Sequence, residues 1–223
     1  MTVDDAIKAL SPQALKLVKN NYVIGLGSGR AATAIVRLLS AYLKKNNFSV
    51  KSIPTSLQIK MEAENGHIPI IEPDQIDHID IVFDGADQID ASGNMIKGGG
   101  GALLREKILI GMAKKTVIIA DETKFVKKLN KRVPVEVHPF ARNTAAIKIR
   151  KLGGKPHIRL LERGYPFVTE NGNIILDCDF GTIPNPRTLA TKVIEIAGVM
   201  EVGIFPKPDI IYKAKENGKF EIL

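Results

Sequence analysis

Ile79-Asp80-Ile81-Val82-Phe83-Asp84-Gly85-Ala86-Asp87-Gln88-Ile89-Asp90, followed shortly by Lys97-Gly98-Gly99-Gly100-Gly101-Ala102-Leu103-Leu104-Arg105-Glu106, decides how the chain is read. Ile79–Phe83 is apolar enough to be a buried strand. Asp84, Asp87 and Asp90 follow, then Lys97 and four glycines. Ala102–Ala113 has the apolar spacing of a helix, with Leu103, Ile110 and Met112 among its core candidates. A plain reversal of the chain needs neither these charges nor four flexible residues, each costing up to ~1 kcal/mol relative to Ala. The stretch is therefore expected to be the active site, set at the end of a strand.

Outward from it the same rhythm recurs. Thr2–Asn20 reads as helix, broken at Ser11-Pro12, where Ser11 suits an N-cap and Pro12 a first helical turn. Tyr22-Val23-Ile24 is a strand, Gly25–Arg30 a glycine turn, and the next helix buries Ala31, Ala34, Ile35, Leu38, Leu39 and Tyr42. Further strands are expected at Phe48–Ile53 and Thr116–Ala120, with a helix over Ile59–Asn65. Apolar strands alternating with helices make a mostly parallel sheet covered on both faces. Ligands bind such sheets beyond the carboxyl ends of the strands. Ser28–Arg30, Thr55-Ser56, Asp84–Asp87 and Asp121–Lys124 all fall there.

After about residue 131 the order becomes βαββαβ. The signals are a strand at Val133–Val137, a helix capped by Asn143-Thr144, and a strand at His157–Leu161. A hairpin turning at Asn171-Gly172, a helix from Asn185-Pro186 and a last strand over Val199–Phe205 complete it. The expectation is an α/β protein: a Rossmann-like parallel-sheet domain (1–131 plus 206–223) with an inserted ferredoxin-like α+β domain (132–205).

Composition narrows the function. The chain has 223 residues and a net charge of +8, which favours anionic partners. It has no Trp and few aromatic residues, so a stacking platform for single-stranded nucleic acid is not expected. The basic run Lys124, Lys127, Lys128, Lys131 and Arg132 reads as a solvated helix face, with only Lys124 close enough to a strand end to serve the site. The single cysteine, Cys178, cannot form an intrachain disulfide, which suits a reducing cytosol. It reads as a half-buried strand residue rather than a nucleophile. The acidic start Met1–Asp5 shows no signal peptide and no apolar run nears the ~20 residues of a membrane span. A soluble cytoplasmic protein is expected.

Gly25–Arg30 is not a complete dinucleotide loop. Arg30 stands where the third glycine belongs, and Phe48–Ser52 offers no acidic ribose ligand, which argues against a nicotinamide dehydrogenase. What remains is a glycine turn feeding a helix N-terminus, an anion site to which Arg30 can add a bidentate contact. Glu106 lies one turn into its helix. Positions three and four away are Ala102, Leu103, Leu109 and Ile110, so no helical ion pair accounts for it, and a general base is the alternative. Asp84 and Asp87 can hold Mg²⁺ or bond to sugar hydroxyls. His67, His78, His138 and His157 lack ligand spacing. Lys97 can stabilise charge on a reacting oxygen.

Taken together these motifs resemble the type A family of ribose-5-phosphate isomerases. The resemblance rests on Gly25–Gly29, Pro54–Gln58, Asp84–Asp90, Lys97–Lys107, Ala120–Lys124, Pro134–Val137 and Leu176–Pro186, and it covers nearly the whole chain in order. It implies a homodimeric or homotetrameric aldose–ketose isomerase of the non-oxidative pentose phosphate branch, with no metal or other cofactor and no nucleic-acid or membrane partner. By resemblance Glu106 carries the proton, Asp84 and Asp87 contact the sugar, and Lys97 stabilises an enediolate. Ser28, Gly29, Arg30, Ala31, Gly85, Ala86, Gly98, Gly99, Gly100 and Lys124 line the substrate site. In the family the first glycine turn usually continues Ser-Thr; here Arg30-Ala31 stand there, and Arg30 is expected to compensate with its charge. The rival from another class is a non-catalytic sugar-phosphate sensor, which would need neither Glu106 nor Lys97.

Overall fold

A computed structural model describes residues 3–215 and 217–223. Met1, Glu216 and Thr2, the last being the expected start of the first helix, lie outside the described residues. The helices are α1 (Val3–Leu15), α2 (Gly29–Asn46), α3 (Leu57–Asn65), α4 (Leu103–Met112), α5 (Arg142–Lys151) and α6 (Pro186–Ile194). The strands begin with β1 (Val23–Leu26), β2 (Lys51–Pro54), β3 (Ile81–Gly85), β4 (Gln88–Ile89), β5 (Met95–Ile96), β6 (Thr116–Asp121) and β7 (Val133–Val137). They continue with β8 (Lys155–Ile158), β9 (Ile174–Asp179), β10 (Val199–Val202), β11 (Ile204–Phe205), β12 (Ile210–Ala214) and β13 (Phe220–Ile222).

By internal contact the chain forms two units. One takes the chain up to Ala86, Arg105–Lys124 and Pro208–Leu223; the other takes Asp87–Leu104 and Phe125–Lys207. The contact division thus groups 87–104, 125–131 and 206–207 with the second unit, segments that the rhythm of the sequence groups with the first.

The first unit is built on a six-stranded sheet in the order β13-β12-β6-β3-β1-β2. All its pairings are parallel except β12 with β13. From β1 the chain moves outward to β2 on one side and to β3 on the other, so the strand order reverses between β1 and β3. The α/β expectation holds. The central strands β1, β3 and β6 are almost wholly buried because both faces are covered. Ile81 and Phe83 join a core with Leu39 and Ile59 from α2 and α3. Val82, pointing the other way, packs with Ile53, Ile79 and Leu109 of α4. Leu10, Ala14 and Leu15 bury the inner face of α1.

That buried face corrects one expectation: α1 is not broken at Ser11-Pro12. Ser11 is fully buried inside the helix, and its hydroxyl donates to Ile7 O at 2.7 Å. Burial of the flanking leucines carries the helix across the backbone bond that Pro12 cannot make.

The second unit holds an antiparallel sheet in the order β10-β7-β9-β8, with α5 and α6 as its helices. This is the expected βαββαβ arrangement. Val133, Val135, Val137, Ala145, Ile149, Leu176, Cys178 and Val193 form its core. A small antiparallel sheet, β11-β5-β4, belongs to the same unit.

Several local expectations are corrected here. Val199–Phe205 is two strands, because Gly203 turns the chain: its N–H donates to Pro134 O (2.7 Å) and its carbonyl accepts from Lys97 N (3.0 Å). The turn at Asn171-Gly172 forms, with Thr169 N donating to Asn173 O at 2.8 Å, but its arms carry an isolated bridge, Val168 with Ile174, in place of a strand ladder. The α5 N-cap position is Ala141, with Thr144 Oγ1 donating to its carbonyl at 3.0 Å. The basic run forms no helix face. A 3-10 turn ends at Lys124, and Lys127, Lys128, Lys131 and Arg132 are exposed on irregular chain. Among the described residues no helix is long and apolar enough to cross a membrane.

Candidate active site

β1 and β3 end side by side at the reversal of strand order. Leu26 pairs with Phe83, and Gly27 N donates to Phe83 O at 2.8 Å. Asp84 follows at once and is only 1% exposed. A buried carboxylate must be hydrogen-bonded, and Asp84 Oδ1 accepts from Gly85 N (2.7 Å) and Ser28 N (3.2 Å). Its carboxyl group lies so close to the turn that a Cβ at position 27 would fall 2.0 Å from Asp84 Cγ. That contact, more than turn geometry, requires glycine there.

Ser28 occupies the N-cap position of α2, yet its side chain does not cap the helix. Its hydroxyl instead donates to Glu106 Oε1 at 2.5 Å. Glu106 sits in the first turn of α4 and is 2% exposed. Leu109, one turn on, is locked in the core and fixes the helix that carries it. One serine thus connects two buried carboxylates, its amide on Asp84 and its hydroxyl on Glu106. Gly29 opens α2 with φ +77°, Ala31 is buried and Arg30 is exposed. Gly85 and Lys124 are half-buried. Thr55 and Ser56, also at a strand end, have structural partners: Thr55 bonds to Leu26 O and Ser56 caps α3.

The second unit holds the remaining expected residues, Asp87, Lys97, Gly98, Gly99 and Gly100. Asp87 N donates to Ile96 O at 2.8 Å, and Asp87 Oδ2 accepts from Gly99 N at 2.7 Å. Lys97 is 3% exposed, with Nζ 5.3 Å from the centroid of the Phe205 ring, a cation–π distance. Gly101 has φ +87°, and a Cβ there would meet Phe167 Cζ at 2.4 Å, so no other residue fits. Asp90 serves the turn between β4 and β5. Its two oxygens accept from Ser92 N, Asn94 N and Asn94 Nδ2, each at 2.9 Å. Of the three carboxylates in the opening stretch, this one is a turn residue.

Among the described residues no group of three or more His, Cys, Asp and Glu is placed to hold a metal ion. Cys178 is fully buried rather than half-buried, and burial pushes its thiol up to about 12, so it stays protonated. Phe205 and Arg159 are structural partners that no local signal in the sequence marks. Phe205 lies at the end of an ordinary apolar strand, and Arg159 directly after β8.

The family model described as ribose 5-phosphate isomerase A (phosphoriboisomerase A) matches residues 51–218. The chain belongs to this family. It is 41% identical over 203 residues to ribose-5-phosphate isomerase A 1 of Oceanobacillus iheyensis, covering 91% of this chain and 90% of that one. The isomerase A of Methanosarcina acetivorans is 38% identical, over 97% of this chain and 93% of the relative. Among solved structures, ribose 5-phosphate isomerase A from Methanocaldococcus jannaschii superimposes with a TM-score of 0.94 at 37% identity, over 100% and 99% of the two chains. A D-ribose-5-phosphate isomerase in complex with phospho-erythronic acid gives 0.95 at 36% identity, with the same coverage. The family and enzyme class expected from the motifs agree with these relatives.

Proposed function

We propose that the chain interconverts D-ribose 5-phosphate and D-ribulose 5-phosphate through an enediolate, with Glu106 as the base. The observation that carries this reading is Glu106 itself: a carboxylate 2% exposed, fixed by Ser28 Oγ, at the end of the sheet where strand order reverses. Asp84 assists ring opening and Asp87 contacts the sugar hydroxyls. Glu106 takes the proton from C2 of the open aldose. The electrons move onto the C1 oxygen, where Lys97 stabilises the charge. Glu106 returns the proton to C1 while the O2 proton passes to O1, leaving a carbonyl at C2. Formula and charge are unchanged, so the reaction calls for no redox partner.

The glycine turn with Ser28, Gly29 and Arg30 binds the phosphate, together with Lys124. The same reading makes the protein a cytoplasmic homo-oligomer of the non-oxidative pentose phosphate branch. A sugar-phosphate sensor would not need a buried, oriented glutamate. In an isomerisation assay, Glu106→Gln is expected to lose roughly 10²–10⁴-fold in kcat with its fold retained, and a chelator is expected to leave wild-type activity unchanged. Full activity in the Gln variant would remove the base. Loss on chelation would replace this mechanism with a metal-dependent one.

A further inference from the structure

Arg159 lies just past β8 and takes no part in the chemistry above. Its side chain is 15% exposed and fully engaged within the second unit. Nε and Nη2 grip Asp177 as a fork, at 2.9 Å to Oδ2 and 2.5 Å to Oδ1. That leaves Nη1, which donates to two carbonyls of the glycine loop, Gly98 O at 2.9 Å and Gly99 O at 3.0 Å. Phe167 stands beside the guanidinium, its ring centroid 5.8 Å from Cζ, and the same ring fills the space against Gly101. Phe167 is itself held in register, its N–H donating to Arg159 O at 3.0 Å.

Behind Phe167 the turn is anchored by Glu136, which is fully buried. Its Oε1 accepts from Thr169 Oγ1 (2.9 Å), Asn171 Nδ2 (3.0 Å) and Asn173 Nδ2 (2.9 Å). The glycine loop is thus braced from outside by a chain of side chains that the reaction does not use.

We propose that Arg159 is a positioning residue for the isomerase reaction, setting the backbone of Gly98–Gly101 and through it Asp87 and Lys97. The inference rests on the proposed function. Glycines cannot hold their own conformation, since they lose the most backbone freedom on ordering. A planar cation oriented by a bidentate carboxylate is a rigid brace for two carbonyls at once. The peptide between Gly98 and Gly99 links both ends of the device: its carbonyl accepts from Arg159, and its N–H donates to Asp87 Oδ2. A cation on the carbonyl strengthens the N–H as a donor, because neighbouring hydrogen bonds polarise one another. Lys97 adjoins this peptide in the chain, so loosening the loop loosens the lysine.

The test combines steady-state kinetics with amide hydrogen exchange, on wild type, Arg159→Ala and Arg159→Lys. Lysine keeps the charge but cannot grip Asp177 as a fork and hold both carbonyls, so it decides the matter even if the alanine variant unfolds. The expected result is a kcat loss of roughly 10–100-fold in Arg159→Ala, with KM changed less than about threefold and a smaller loss in Arg159→Lys, since small misplacements of reacting groups reach that size. Gly99 amide exchange is expected to accelerate at least tenfold in the alanine variant, on the order of what losing its brace allows. Unchanged Gly99 exchange in every variant that folds, with kcat within about twofold of wild type, would overturn the inference and leave the isomerase reading intact. Accelerated exchange in a protein whose wild type shows no isomerase activity would refute that reading while the brace stood.

Discussion

Asp84 and Asp87 are three residues apart and are held in opposite ways. Asp84 belongs to the first unit, at the end of a fully buried strand, and its oxygen accepts from two backbone amides of that unit. Its position follows from the sheet: wherever β1 and β3 pair, the turn after β1 meets the residue after Phe83. Asp87 belongs to the second unit and accepts from Gly99, inside a loop with no regular structure. That loop has no core of its own, and its order comes from Arg159, Phe167 and the hairpin anchored on Glu136. A carboxylate at a sheet edge is positioned by strand pairing. One held by a glycine loop needs side chains from distant parts of the sequence to fix that loop.

The strongest challenge to this contrast is Lys97→Met. Methionine retains the apolar contact with Phe205 and removes the charge. Isomerase kcat is expected to fall roughly 10²–10³-fold, the scale of losing one group that stabilises a developing oxyanion. A loss under about twofold would reduce the second unit to a structural role. Next in size is Gly27→Ala, which drives a methyl group into the Asp84 carboxyl. Overpacking of this kind costs about 1–3 kcal/mol, read by urea unfolding, and activity should fall with it because Asp84 must move. Unchanged stability would mean that the turn, and hence Asp84, is looser than the sheet implies.

The smallest effect concerns Asp80, just before β3 and so at the opposite end of that strand from Asp84. Burial pushes its carboxyl upward, but Val23 N–H at 3.0 Å, Lys114 Nζ at 3.1 Å and His78 outweigh it and hold it below the usual range. A carboxylate depressed in the folded state stabilises above its unfolded pKa of ~3.9, and the contribution is lost as pH falls through the folded value. Asp80→Asn is therefore expected to cost about 1 kcal/mol at neutral pH. In thermal unfolding the difference from wild type should close as pH falls through the depressed range in which the folded carboxyl takes up its proton. A difference that persists at low pH would assign the effect to packing rather than charge.

Much of this was open to reading in one dimension. The strand before Asp84, the glycine turn before α2 and the helix carrying Glu106 are local patterns: apolar runs, a flexible turn, apolar spacing. Asp84, Glu106 and Lys97 stood out because their charges contradict those patterns. Local reading went astray where burial overrides local preference. Pro12 suggested a helix break that the packed face of α1 suppresses, and Val199–Phe205 looked like one strand until Gly203 paired with Pro134 and Lys97. Asp90 looked like its neighbours but bonds only within its own turn.

By itself the sequence determined the α/β alternation, the βαββαβ segment and the residue types at the strand ends, because hydrophobic periodicity and turn chemistry act over a few neighbouring residues. Only the tertiary structure decided that Ser28 links Asp84 to Glu106, and that Arg159 and Asp177 brace a loop some sixty residues earlier in the chain. Those pairings depend on strand order and burial, which emerge only when segments distant in sequence share one core.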